Sequence, residues 1–138
     1  MWDTTTEFGR LVERQLAVEH VVWLVTTDRA GTPQPKPVWF IRDGADVLVY
    51  SQPEAAKVRH IGERPRVALH FNTDFTGEHM VVLLGTAAVD PGAPPADRHD
   101  AFMAKYAASL PGINMTPAQF AASYATALRV TIERARGF

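Results

Sequence analysis

The stretch Tyr50-Ser51-Gln52-Pro53-Glu54-Ala55-Ala56-Lys57-Val58-Arg59-His60 holds the densest set of groups able to grip a ligand. Hydroxyl and amide side chains end a β-branched run, and Lys57 and Arg59 stand in the early turns of the short helix expected directly after it. Unpaired amides at a helix start attract anions, and nearby cations strengthen that field, so the segment suits a phosphate-bearing ligand. The same spacing also fits a solvated helix face with Ser51 as a simple cap. Other chemistries have no motif here. There is no G-x-S-x-G elbow, G-x-x-x-x-G-K-[ST] loop, G-x-G-x-x-G or H-E-x-x-H. The histidines at 20, 60, 70, 79 and 99 show no i,i+4 ligand pair. With no cysteine, thiolate metal sites, disulfides and cysteine nucleophiles are excluded.

The elements that must position these groups can be read from periodicity. Thr4-Thr5-Thr6-Glu7 has capping-box spacing, and Phe8, Leu11, Val12 and Leu16 then fall on one face, predicting a helix over 5–18. Strands are expected at 20–27, 34–42, 46–51, 66–72, 79–89 and 125–132, with Asp43-Gly44 as a hairpin turn. Pro33, Pro35 and Pro37 place the first half of the second strand at an edge, because each removes a ladder donor. Short helices are expected at 53–61, at 97–108 and from Thr116-Pro117, where a second capping box opens. Trp23, Trp39 and Phe40 sit on alternating strand positions that ordinarily face a core.

This order predicts a strand-rich α+β fold, mainly antiparallel, built as a closed or split barrel with peripheral helices. At 138 residues and 46% apolar composition, the chain fits one domain spanning 1–138. Fourteen Lys and Arg against fifteen Asp and Glu leave a formal charge of −1, which argues against nucleic acid as a partner. No apolar run approaches the ~20 residues of a membrane helix, and no secretory leader is visible, so the expected setting is cytoplasmic and no membrane partner is expected.

The ordered set Val22–Thr27, Asp28-x-x-Gly31-x-Pro33, Pro37-Val38-Trp39-Phe40, 47–51, and Ala56-Lys57-Val58-Arg59-His60-Ile61 with Pro65-Arg66-Val67-Ala68-Leu69 resembles the flavin and deazaflavin split-barrel family. This is the superfamily of pyridoxamine 5′-phosphate oxidase, and the likeness is strongest to its actinobacterial F420-dependent oxidoreductases. It covers 21–89 well and the C-terminal third loosely.

The resemblance implies a homodimer with two cofactor sites along the shared surface, acting on a small-molecule substrate. A barrel this small has too little interior to enclose a flavin-sized ligand beside its own core. By position, Tyr50, Ser51 and Gln52 would adjoin the cofactor's phosphate and ribityl chain, and Lys57, with Arg59 beside it, would bind the phosphate. Gln34, Lys36, Pro37, Val38 and Trp39 would run along the ring with backbone amides toward its polar edge. His79 and Met80 would be contributed across the dimer.

The oxidases of the superfamily carry an Arg-Lys pair in the helix and a further base on the second strand. Here the pair is Ala56-Lys57 and the strand offers Lys36. That fits the diester of coenzyme F420 better than flavin mononucleotide (FMN), the alternative cofactor, and no pyridoxal-phosphate grip is evident. The implied activity is hydride transfer between the deazaflavin and an organic acceptor. An FMN oxidoreductase and a non-catalytic carrier stand as alternatives. No catalytic side chain is singled out, Tyr50 and His79 being the candidate proton donors, and no metal is expected.

Overall fold

The computed structural model describes residues 2–138. Seven antiparallel strands form one sheet: β1 Val22–Thr27, β2 Pro33–Val38, β3 Ile41–Asp43, β4 Asp46–Ser51, β5 Arg66–His70, β6 Val81–Val89 and β7 Thr126–Gly137. Its spatial order is β2-β1-β5-β6-β7-β4-β3. The two edge strands, β2 and β3, are therefore neighbours in sequence, separated only by Trp39 and Phe40. Three Cα steps span at most about 11 Å, so the sheet must curl until its edges nearly meet. The result is a half-open barrel whose seam is Trp39-Phe40. The strand expected at 34–42 is thus two strands, broken where the barrel splits.

The prolines fix how β2 sits. It pairs with β1 alone, in the register Trp23 to Pro37, Val25 to Pro35 and Thr27 to Pro33. Amide direction alternates along a strand, so the 34, 36 and 38 amides serve the ladder while the prolines turn outward. Of the segment 34–39 expected to run along a ring, Gln34 to Val38 lie in this ladder. Only Trp39 lies beyond it.

Four helices surround the sheet: α1 Glu7–Val18, α2 Ala56–Glu63, α3 Asp100–Tyr106 and α4 Pro117–Ser123. The cap of α1 is Thr6, accepting from the Gly9 amide, and not Thr4. Asp3 displaces the expected box by binding the Thr5 amide and hydroxyl through its carboxylate and Thr6 Oγ1 through its carbonyl. At α4 the expected box forms, with Thr116 and Gln119 bonding each other's backbone. β7 runs five residues beyond the expected end, because residues 134–137 pair with the first half of β6 across a bulge at Leu84/Gly85.

Two apolar clusters share β4. Val47 and Val49 point into the barrel with Leu24, Leu69, Leu83 and Leu128, and Leu11, Val12 and Leu16 of α1 join them. Leu48 and Tyr50 point the other way, onto Phe102, Tyr106, Leu110 and Phe120 of the C-terminal helical layer. A strand covered on both faces reads as a continuous buried run, which 47–51 is. The seam's loose backbone is sealed from this layer. Tyr106 Oη accepts from the Phe40 amide at 2.8 Å and lies 2.8 Å from the carbonyls of Phe40 and His20. Lys105 Nζ donates to the Phe40 carbonyl at 3.1 Å, and burial pulls its ammonium down to about 8.

On β7, Arg129 donates to Asp43, Asp46 and Asp90 at 2.8, 3.3 and 2.8 Å. The guanidinium holds the Asp90 carboxyl below its ordinary value, aided by the Gly92 amide. A depressed folded pKa stabilises above the unfolded value, and that contribution disappears as pH falls through the folded one. In Arg129→Leu the three carboxylates face one another without a cation, and acid relieves them. The Tm gap between wild type and variant is therefore expected to be widest near pH 7 and to narrow toward pH 3. Thermal melts across that range check it.

Candidate functional site

Two contiguous depressions open at the seam. The larger, about 330 Å³, is a cleft lined by Pro37, Val38 and Trp39 of the seam, Tyr50 and Gln52, Ala55 and Lys57, and Ile113, Phe120 and Tyr124 of the helical layer. The smaller, about 270 Å³, is lined by Thr26, Gln34, Lys36, Ala55, Ala56, Lys57 and His60. Ala55 and Lys57 belong to both. One end of the combined site is thus apolar and aromatic, the other cationic and rich in donors.

The cationic end arises from how α2 begins. Gln52 to Ala55 form a turn, the Ala55 amide donating to the Gln52 carbonyl at 3.1 Å, so the helix starts at Ala56 and not at Pro53. Its N-cap is Ala55, with no side-chain capping bond. Ser51 does not cap the helix; its hydroxyl is buried and donates to the Gln52 carbonyl. The Val58 amide donates to the Ala55 carbonyl at 3.0 Å, which leaves the Ala56 and Lys57 amides for whatever enters the pocket. Lys57 stands over them, half-buried, and makes no hydrogen bond or ion pair among the described residues. Burial pulls its ammonium below the ordinary lysine value, and the nearby Lys36 charge pulls it further. A desolvated cation beside a like charge is unfavourable, and an anion between the two reverses the sign. The residues present fit a phosphate group.

The apolar end is a column of near-parallel rings. Tyr106 lies 4.6 Å from Trp39 at 6°, Trp39 is 5.6 Å from Phe120 at 22°, and Phe120 is 4.4 Å from Tyr124 at 10°. Trp39, expected to face a core, packs half-buried against the helical layer and also lines the cleft. Tyr50 contributes its ring alone. Its hydroxyl donates to the Pro94 carbonyl at 2.6 Å, and burial, with Asp43 and Asp90 adding, pushes it up to about 12. As a proton donor Tyr50 is engaged elsewhere.

Of the residues singled out by sequence, Gln34, Lys36, Pro37, Val38, Trp39, Tyr50, Gln52 and Lys57 come together here. Three lie apart. Arg59 is exposed on the far side of α2, beside Asp28, Arg29 and Glu63. His79, in the left-handed region at φ 59, pairs with Asp74 at 3.1 Å in a depression beside α1. Met80 exchanges backbone hydrogen bonds with Phe138 at 2.9 and 3.0 Å. Sequence reasoning missed Ile113, Phe120 and Tyr124. The box at Thr116 marks the helix of Phe120, which Tyr124 ends and Ile113 precedes, but nothing local says that it folds back over the seam.

The comparisons agree with this architecture. The family model described as pyridoxamine 5′-phosphate oxidase matches residues 10–138. No curated protein matches the chain. Among solved structures, an F420 reductase superposes with TM-score 0.71 at 21% identity, over 90% of this chain and 94% of its own. General Stress Protein 26 from Bacillus anthracis gives 0.68 at 13%, over 94% and 92%. The heme storage protein HutZ from Vibrio cholerae gives 0.67 at 13%, over 96% and 95%. At such identities the likeness speaks for the fold. The half-open barrel, its seam cleft and the match over nearly the whole length make this chain a member of the pyridoxamine 5′-phosphate oxidase family of flavin-binding split barrels.

Proposed function

We propose that the protein is an F420-dependent oxidoreductase passing a hydride between the deazaflavin and a small organic acceptor. The observation that carries this reading is the unpartnered, half-buried Lys57 joining a cationic pocket to an aromatic cleft. A ligand with one anionic linker and a flat ring fills both. Lys57 and Lys36 would hold the phosphate, and the cleft bounded by Trp39, Phe120 and Tyr124 would hold the ring. The bound cofactor supplies the hydride chemistry; the chain orients it and excludes water. Having one cation fewer than the oxidases favours the phosphodiester of F420 over the phosphomonoester of FMN.

A second copy of the chain completes the site in this reading. Trp23, Val25, Ala68, Val82 and Leu84, with His70 among them, share the half-buried outer face of β1-β5-β6 while their neighbours inside each strand are buried, and exposed Pro35 of β2 continues it. An apolar sheet face of this kind suits a homodimer interface. Arg59, His79 and Met80, outside the cleft of their own chain, would reach a cofactor only across such an interface. Among the described residues no helix is long and apolar enough to cross a membrane.

The absorbance spectrum of the protein as purified, followed by titration with F420 and FMN, tests the reading. F420 is expected to quench tryptophan fluorescence, through Trp39, at lower concentration than FMN. Tighter FMN binding reverses the cofactor order. Binding without oxidation of reduced cofactor, across enones and quinones, leaves a carrier.

A further inference from the structure

We propose that His60 is a third, proton-linked contact of the anion pocket, an inference that rests on the pocket binding an anion at all. His60 comes one helical step of three after Lys57, so both side chains fall on the α2 face toward β1 and β2. The imidazole is 7% exposed and forms a wall of the pocket with Lys36 and Lys57. Its Nδ1 lies 2.9 Å from Thr26 Oγ1, which fixes the ring.

The other nitrogen, Nε2, makes no hydrogen bond among the described residues. Gln15 Oε1 is the one fully buried side-chain polar atom left unpaired there, so Nε2 is not sealed from solvent. A ring fixed at one nitrogen and open at the other is poised to donate to an anion, as Nε2–H when neutral and more strongly as imidazolium.

The groups around it decide what protonation costs. Lys57 on α2 and Lys36 on β2 oppose a third positive charge, while Thr26 and Gln34 are neutral. Asp28, in the turn between β1 and β2, is held below its ordinary value chiefly by the Gln34 side-chain amide and the Thr32 backbone amide, with His60 a lesser contributor. Arg29, Arg59, Glu63 and Arg64 border a second depression that His60 and Asp28 also line. With the pocket empty, protonating the imidazole adds a third positive charge beside Lys36 and Lys57. An anion cancels them and lets it take up a proton. Anion affinity therefore rises as pH falls through the His60 pKa.

Sulfate, whose charge is constant between pH 5 and 8, is the probe. His60 is followed by NMR, its signal assigned by loss in His60→Asn, at constant ionic strength with and without sulfate. The expected result is a rise of about one unit in its apparent pKa, which corresponds to tenfold tighter binding at the acid limit. The shift should vanish in Lys57→Ala. An unchanged His60 pKa, with the Ala56 and Lys57 amides moving on sulfate addition, overturns the proposal and leaves a structural histidine. If neither the amides nor His60 respond, the anion pocket itself is wrong, and the oxidoreductase reading falls with it.

Discussion

Lys57→Ala is expected to weaken F420 binding by about 1.5–3 kcal/mol, roughly 10- to 150-fold in Kd, because a charged hydrogen bond to the phosphate is lost. The apo protein should not suffer. Lys57 is half-buried, unpaired and near Lys36, and its depressed pKa means that its charged form opposes folding. Removing it is expected to leave the apo Tm unchanged or slightly raised, while ligand-induced stabilisation falls with the lost affinity. Titration and melting with and without F420 read the two effects separately. Lys57→Arg keeps the charge on a larger head and should retain most of the affinity. Normal binding by Lys57→Ala would place the phosphate elsewhere. A Tm that drops sharply would make Lys57 a structural residue, contrary to its lack of partners.

Lys57 also shows why part of the site was legible in the sequence. A strand ending in polar groups, with a helix directly after it and a cation in the first turn, is a local pattern, and local patterns survive folding. Lys36 and Gln34 join it through the β1–β2 register, which the alternating prolines make nearly unavoidable. The seam was half legible. The prolines announce an edge, but the break at Trp39-Phe40 depends on Tyr106 and Lys105, sixty-odd residues away, which take over the Phe40 backbone. The cap of α1 went astray for a smaller reason: three threonines precede Glu7, and Asp3 decides which of them caps. The wall formed by Ile113, Phe120 and Tyr124 was not legible, because its place depends on long-range packing of a helical layer whose sequence shows only length and caps.

Phe102 ties that layer together at its centre, and Phe102→Ala is the change expected to cost most. Phe102 is fully buried and meets Tyr50 edge-on at 5.0 Å, Tyr106 at 4.7 Å and Phe120 at 5.7 Å. It thus touches the floor strand, the seam seal and the cleft wall together. Truncating a buried phenylalanine costs about 3–5 kcal/mol, a large share of the 5–15 kcal/mol that domains possess. Urea unfolding should show that loss as a lower midpoint. Because Leu48 and Tyr50 pack on the layer while Val47 and Val49 of the same strand pack in the barrel, the transition should remain a single one with unchanged slope. F420 affinity should fall as well, although Phe102 does not line the cleft, since Phe120 and Tyr106 lose the surface that keeps the ring column parallel. Phe102→Leu, which keeps most of the volume, should recover over half of both losses. A biphasic curve, with the helices melting before the barrel, would show that sharing β4 does not couple the two clusters. The cleft would then be a docked surface and not a product of the fold.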